Sequence, residues 1–357
     1  MHRRTLTLAS VCGLATGAGL LIAGPLSPPA GLVTSSYKTL NEVEPRIAIN
    51  ATNTPGDNDA TSSVFKITQP GSYYLTGNIT VTDNRRAIEI TANDVTIDLG
   101  GFLITSSGTS PHAIDATVSG LRGITVRNGT VLGFASTGVD LGFLNSCTLH
   151  DLNVRSCGNG ALLGSDARVR DCTFSDNEGA GLLLNAGGSV ENCVAAENLT
   201  GFSSQGRTVF RGCSARSNAE RGFSVLSGAV VTDCSASFNG QDGFWLQSGG
   251  TISNSQSTSN LGAGIYLNGY GVATNNNCVS NASGIVAANE ASRIDSNHVS
   301  LNTVNGIQTI SSNNIIVRNT ARSNGTNYNI PSGEYAQIIT NPGSNFVATN
   351  PWANFAY

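Results

Sequence analysis

Residues 193–234 read CVAAENLTGFSSQGRTVFRG and then CSARSNAERGFSVLSGAVVTDC. Laid one above the other, the two lines place Cys193 over Cys213, Asn198 over Asn218, Gly201-Phe202 over Gly222-Phe223, and Phe210 over Val231. The Asn continues in both directions as Asn177, Asn239, Asn260, Asn281, Asn302 and Asn324, eight copies whose spacing averages 21 residues. The Gly continues as Gly181, Gly243, Gly264, Gly284 and Gly306, each followed by Leu, Phe or Ile. Five residues before each Asn runs a second column, Cys172, Cys193, Cys213, Cys234, Ser255, Asn276, Asn297 and Asn319, and three residues earlier an apolar one from Val169 to Ile316. An internal repeat of this regularity decides the architecture before any local propensity does.

Each unit holds apolar stretches of two or three residues between corners of Asn, Gly, Ser or Cys, too short for the helical period. One such unit cannot bury its own side chains. Stacked units can, each short strand pairing with its copy about 4.8 Å above and below. An Asn at a corner then bonds its own turn and the Asn of the next rung. The pattern extends upstream through Leu149, Val126 and Ile97. It predicts an all-β parallel solenoid over residues 63–340, with roughly twelve or thirteen rungs and a length of about 60 Å.

The composition agrees. The 357 residues include 42 Gly and 38 Asn, only 12% are charged, and the formal net charge is −4. A coiled coil would be rich in Ala, Glu, Lys and Leu, and a nucleic-acid binder would cluster Lys and Arg; neither pattern is present. With 39% hydrophobic residues and little net charge, disorder by repulsion is excluded as well.

Residues 1–24 carry a basic start at Arg3-Arg4 and an apolar run from Leu6 to Ala23, the pattern of an export signal. This predicts a secreted, periplasmic or cell-surface protein, and no membrane span in the mature chain. Residues 25–62, with Thr54-Pro55-Gly56-Asp57, read as a linker or irregular N-terminal extension, and ordered strand is expected from about Val64. Open solenoid ends need covers. Phe65, Tyr73 and Tyr74 are candidates at one end, and the tail 341–357, with Phe346, Trp352, Phe355 and Tyr357, reads as an aromatic C-terminal cap. Beyond the signal, seven cysteines remain, an odd number that excludes complete pairing within one chain. Their long spacing argues against a metal site, and the stacked four are expected to be buried free thiols.

The Asn column, the three short strands per rung and the stretch Val95-Thr96-Ile97-Asp98-Leu99-Gly100-Gly101 resemble right-handed parallel β-helix repeat proteins of bacteria, whose superfamily includes pectate lyases. The resemblance covers about residues 64–340 and implies polysaccharide as partner. If the chain is an enzyme, it implies a polysaccharide lyase, an epimerase or a glycoside hydrolase. No motif assigns the reaction. Lys38 and Lys66 are the only lysines and are read as lying before the solenoid body, and no polygalacturonase segments are present. The string nearest to the Asp-Pro-His of alginate epimerases is Ser110-Pro111-His112, read as a loop. No metal site and no cofactor is evident.

One outward column collects charge in consecutive rungs: Asp98, Arg127, His150, Arg170, Glu191 and Arg211. Here Arg170 and Arg211 would hold anionic or hydroxyl-rich sugars, with Glu191 or His150 as acid or base; the alternative is a surface ion ladder. A later cluster joins Asp295, His298, Arg318 and Arg322, with Glu290 and Arg293 nearby. Two functions fit: a secreted β-helix that binds or processes polysaccharide, or a non-catalytic structural or adhesive surface protein. Long bordering loops would make the charged column a cleft, whereas short corners would leave it a flat contact face.

Overall fold

The computed structural model describes residues 44–57, 59, 62–107, 109–331, 334–340 and 349–357. The chain divides into Met1–Pro45 and Arg46–Tyr357, and the solenoid is the second unit. The export pattern, Lys38 and Phe346 lie outside the described residues. No helix among the described residues is long and apolar enough to cross a membrane.

A regular rung has three short strands and three corners. Arg168–Arg170 lies on a first face, Thr173–Ser175 on a second and Ala180–Ala186 on a third. Thirteen strands stack in parallel to make the third face. The first and second faces belong to one larger sheet, joined where Thr125–Leu132 and Thr148–Arg155 run unbroken through both. The repeat predicted from the sequence is the register observed: Val169 pairs with Val190, then Phe210, Val231 and Ile252.

The corners follow from backbone sterics. The residue that turns the chain from first to second face sits in the left-handed region, for example Asp171 (φ 54°), Asn192 (φ 53°), Asp233 (φ 55°) and Asn254 (φ 51°). Asp and Asn enter that region at lower cost than other side chains, because their short polar groups bond locally. Next to each comes an inward residue of the second column, so a two-residue corner both bends the chain and fills the core.

The Asn column ties the rungs. Asn239 accepts from the backbone N–H and the side-chain Nδ2 of Asn218, at 3.1 and 2.9 Å. Its own Nδ2 donates to Asn260 Oδ1 at 2.8 Å and to the Ala215 carbonyl at 3.3 Å. The column is buried, so these bonds satisfy groups that water cannot reach. They also explain the Gly three or four residues on: a Cβ on Gly222 would lie 2.9 Å from the Asn239 amide nitrogen and 2.7 Å from the Gly243 carbonyl. Beside that column, Phe202, Phe223 and Phe244 stack with centroids 5.0 and 4.8 Å apart. In the second column the Cys234 and Ser255 side chains take over the acceptor role, from Cys213 N–H at 3.4 Å and Cys234 N–H at 3.2 Å. All seven described cysteines are free and buried. Burial pushes the Cys147 thiol up to about 11, which leaves it unreactive at neutral pH.

At the ends, sequence and structure differ in detail. Ile47–Ala48 pairs with Tyr73-Tyr74, so ordered strand begins well before Val64 and inside the segment read as a linker. Lys66 lies within the strand Ser63–Ile67 of the third face, not before the body. His112 opens the strand His112–Ala116 rather than lying in a loop, because Pro111 is followed by inward Ile114 and the chain must rejoin the stack. The tail strand Asn354–Ala356 pairs with Thr320-Ala321 and with Ile338–Thr340, and Asn354 ends the second column by accepting from Asn319 N–H at 3.0 Å.

Asn239→Ala removes the one oxygen that accepts from both the backbone N–H and the amide of Asn218, and takes a donor from the Ala215 carbonyl. A loss of about 2–4 kcal/mol is expected, the sum of two or three buried unsatisfied groups. Urea melts read the loss, and amide hydrogen exchange should quicken in the rungs on either side. Unchanged melting would show that the column follows the stack rather than holding it.

Candidate functional site

Register defines which side chains share a column. On the first face it runs Asp98, Arg127, His150, Arg170, Glu191, Arg211, then Thr232, Ser253, Thr274 and Asp295. The structure therefore brings the first predicted cluster together in successive rungs. The later one begins on the same column, three hydroxyl-bearing rungs further along.

Arg168, Arg170, Glu191 and Arg211 are exposed. A shallow depression of about 490 Å³ lies over Thr148, Arg168, Val169, Arg170, Ser189 and Glu191. Arg170 reaches Asp171 at 3.5 Å with 55% of its side chain exposed, so the pair is weak and the guanidinium remains available. Glu191 accepts from Ser189 Oγ at 3.1 Å, and His150 Nδ1 lies 2.7 Å from Asp151 Oδ2. His150 and Glu191 sit two rungs apart, about 10 Å, with Arg170 between them, so they do not act together on one bond. The corners beside Glu191 and Arg211 take two residues each, such as Gly187-Gly188 and Asn192-Cys193, and the corner before Arg168–Arg170 takes four, 164–167. The face there is flat and unwalled.

Upstream, Asp98 closes an ion network with Arg46 at 3.2 Å and Arg127 at 3.0 Å. Burial pushes its carboxyl up, but the Gly100 N–H, the Asn128 amide and the two guanidiniums together hold it below the usual range.

The later cluster is split by its corner. Asp295 ends a first-face strand, Ser296-Asn297 turn the chain, and His298 begins the second face. Asp295 is buried and takes both nitrogens of a bidentate Arg318, at 2.8 and 2.5 Å, with Arg293 at 2.7 Å. Arg318 stacks over the Trp352 ring at 5.0 Å. His298 is exposed and shares a small depression with Ser300, Leu301, Arg322 and Ser323. Nearness in sequence placed Asp295 and His298 together; the corner sends them to different faces.

A third group escaped the sequence reading. On the third face the outward column begins Lys66, Glu89, Asp115, Asp140. The neighbouring column begins Ser63, Arg86, with His112 opening the next strand and pairing with Thr137. Its partners are spaced by 23, 26 and 25 residues rather than 21, so a fixed period misses them. The signal available was the excess of long rungs at one end. Further along the same column Trp245 and Tyr266 are neighbours, with Arg221 over the Trp245 ring at 4.6 Å. Among the described residues no group of His, Cys, Asp and Glu is placed to hold a metal ion.

The sequence model of the right handed beta helix region matches residues 67–228 and 226–350. The chain belongs to the right-handed β-helix family. Solved structures of this fold include the A-modules of the Azotobacter vinelandii mannuronan C-5 epimerases AlgE4 and AlgE6. They are 17% and 16% identical, cover 75% and 80% of this chain and 91% and 89% of their own, and both have a TM-score of 0.64. A tailspike protein of E. coli bacteriophage HK620, solved with a pentasaccharide, is 12% identical with a TM-score of 0.54, covering 92% of this chain and 81% of its own. At such identities the likeness is one of fold. No curated protein sequence matches the chain.

The Asp295 carboxyl carries a pH dependence. Burial works to raise it, but the bonds from Arg318, Arg293 and Ser296 prevail and hold it at about 2. A carboxyl lowered on folding stabilises the protein above its unfolded value of about 4, and that stability is lost as pH falls through about 2. Asp295→Asn should cost about 1–2 kcal/mol at pH 7, discounted because both arginines are part-exposed. Melting curves of variant and wild type should converge between pH 4 and pH 2; a gap that persists at pH 2 would deny the linkage.

Proposed function

We propose that this β-helix protein binds polysaccharide along its first face, outside the cytoplasm. The observation that carries the reading is the exposed pair Arg168 and Arg170 on one rung and Arg211 two rungs on, with exposed Glu191 on the rung between. A planar guanidinium offers paired donors that match carboxylates and vicinal hydroxyls. The rung spacing of about 4.8 Å is close to the repeat of a hexose in an extended chain, so one polymer can meet several rungs in turn. A flat face suits holding rather than turnover, because nothing excludes water from it. The export pattern of residues 1–24 supports the location, and the epimerase and tailspike structures show glycan-related proteins on the same fold. The same flatness favours a second reading, a rod whose side serves adhesion to another macromolecule.

Affinity electrophoresis of the purified protein in gels of alginate, pectate and neutral glycans tests both. Retardation by an acidic glycan is expected, weakening with salt as the Debye length shortens. The double variant Arg170→Ala, Arg211→Ala should lower affinity about 10–100-fold by removing two charge-assisted contacts. Its melting should change little, as both side chains are exposed. Binding that ignores both the double substitution and salt would reject the arginine face, and no binding to any glycan would leave the adhesive rod.

A further inference from the structure

Like charges directly opposite one another destabilise a sheet, yet Glu89, Asp115 and Asp140 occupy three consecutive positions of one column. Three basic side chains answer them. Lys66 Nζ lies 3.2 Å from Glu89 and also meets Asp57 and Asp59, and Glu89 accepts from Thr117 Oγ1 at 2.6 Å. Arg86 donates to Asp115 one rung on. By the same diagonal His112 faces Asp140, but at 3.8 Å, and its Nδ1 is buried with no hydrogen-bond partner. Asp140 accepts from the Gly142 N–H at 3.1 Å. The first two carboxylates are matched, and the third pair is open.

Burial leads the forces on Asp115 and pushes its carboxyl up; Arg86 and His112 pull it down, and the Asp140 charge raises it again. Two register-paired carboxylates thus have different environments, one 9% exposed and one 16% exposed at the rim. After Asp115 the corner takes residues 117–124, and after Asp140 residues 142–147, longer than the two to five residues of the same corner in the later rungs. Thr117, the first residue of the longer corner, bonds to Glu89. At the upstream end Pro55 bridges to Phe65, and the N–H of Lys66 donates to Thr54.

We propose that Asp115 and Asp140 form a glycoside-hydrolysing pair on the third face, with Arg86 and His112 as positioning residues. The charge chooses the reaction. Removing a proton beside a uronate builds negative charge, which a stack of carboxylates opposes, and both fixed cations here are already engaged. Cleaving a glycosidic bond builds positive charge on the sugar ring, which the same stack favours. The substrate is a glycan without carboxylates, neutral or amino-substituted. Asp115, protonated, gives its proton to the glycosidic oxygen as the bond to the anomeric carbon breaks, while the Asp140 carboxylate bonds to that carbon. Water then gives a proton to Asp115, and its oxygen displaces Asp140, restoring both groups. Register partners one strand spacing apart, about 4.8 Å, match the short carboxyl separation of enzymes that retain anomeric configuration.

The test incubates the full protein with xylan, laminarin, dextran and chitosan and measures new reducing ends. Release from at least one polymer is expected, with retained configuration by proton NMR. Asp115→Asn and Asp140→Asn should each lower the rate about 1000-fold or more. An aryl glycoside with an acidic leaving group should restore a burst of aryl alcohol in Asp115→Asn, whose first step then needs no acid, with turnover recovered when added azide replaces the base-activated water; Asp140→Asn should show no burst. Arg86→Gln should move the alkaline limb of the pH profile upward, since it removes the group that lowers Asp115; a purely structural Arg86 would leave the limb in place. Circular dichroism checks that the variants fold, and Asp115→Glu, which keeps the acid, should retain part of the activity. No reducing ends from any of the four polymers, or full activity in either Asn variant, overturns the proposal.

Discussion

From Asn177 onward, each rung of this molecule depends on its neighbour through the buried amide of a corner Asn. A rung has two or three inward side chains per strand and no closed core of its own, so its polar corners are buried only because a neighbour covers them. The Asn side chain has one acceptor and two donors, and it uses them in two directions: backward to the backbone N–H, the amide and a carbonyl of one rung, forward to the amide of the next. Removing water from a corner without that partner would cost more than the apolar burial beside it returns. The glycine three or four residues on, the turn of the chain and the in-register Phe stack all depend on this contact, since a side chain in place of Gly222 would occupy the amide's position.

Such stacking makes identity between rungs favourable for amides and aromatics and unfavourable for charge. That asymmetry accounts for the low charge content and for where charge survives. On the first face the signs alternate or are diluted, with Glu191 between Arg170 and Arg211 and hydroxyls after them. At Asp295 a buried carboxylate is tolerated because Arg318 clamps it, at the expense of holding an Arg in the left-handed region (φ 57°) where most rungs use Asp or Asn.

What was legible in the sequence comes from the same rule. Asn198, Gly201 and Phe202 were readable because the contact they make repeats at constant spacing, and a constant spacing survives in one dimension. The arginine strip was readable for that reason too, as its members fall at a fixed offset from the Asn column. The third-face carboxylates were not, because residues 117–124 and 142–147 break the period just where Glu89, Asp115 and Asp140 align. Asp295 and His298 failed in the opposite sense: three positions apart, they looked adjacent, but a two-residue corner separates their faces. Period locates columns, and only backbone geometry says which face a column occupies.

The irregular rungs therefore carry a meaning the regular ones cannot. A perfectly repeated rung presents the same short corners everywhere and gives a surface with length but no depth. The first amide column is bonded only from Asn177 onward, its amide reaching back to Cys157 N–H at 3.0 Å. Upstream of that point the stack relies on apolar side chains such as Ile88, Ile114 and Val139 in register instead. The segment without the ladder is the one that has the longer corners, buried carboxylates and an unpartnered imidazole nitrogen. Stability by repetition and clustered charge by exception are thus divided along the rod: the ladder rungs make a regular strip of exposed side chains, and the rungs without the ladder gather the carboxylates and the imidazole on one face.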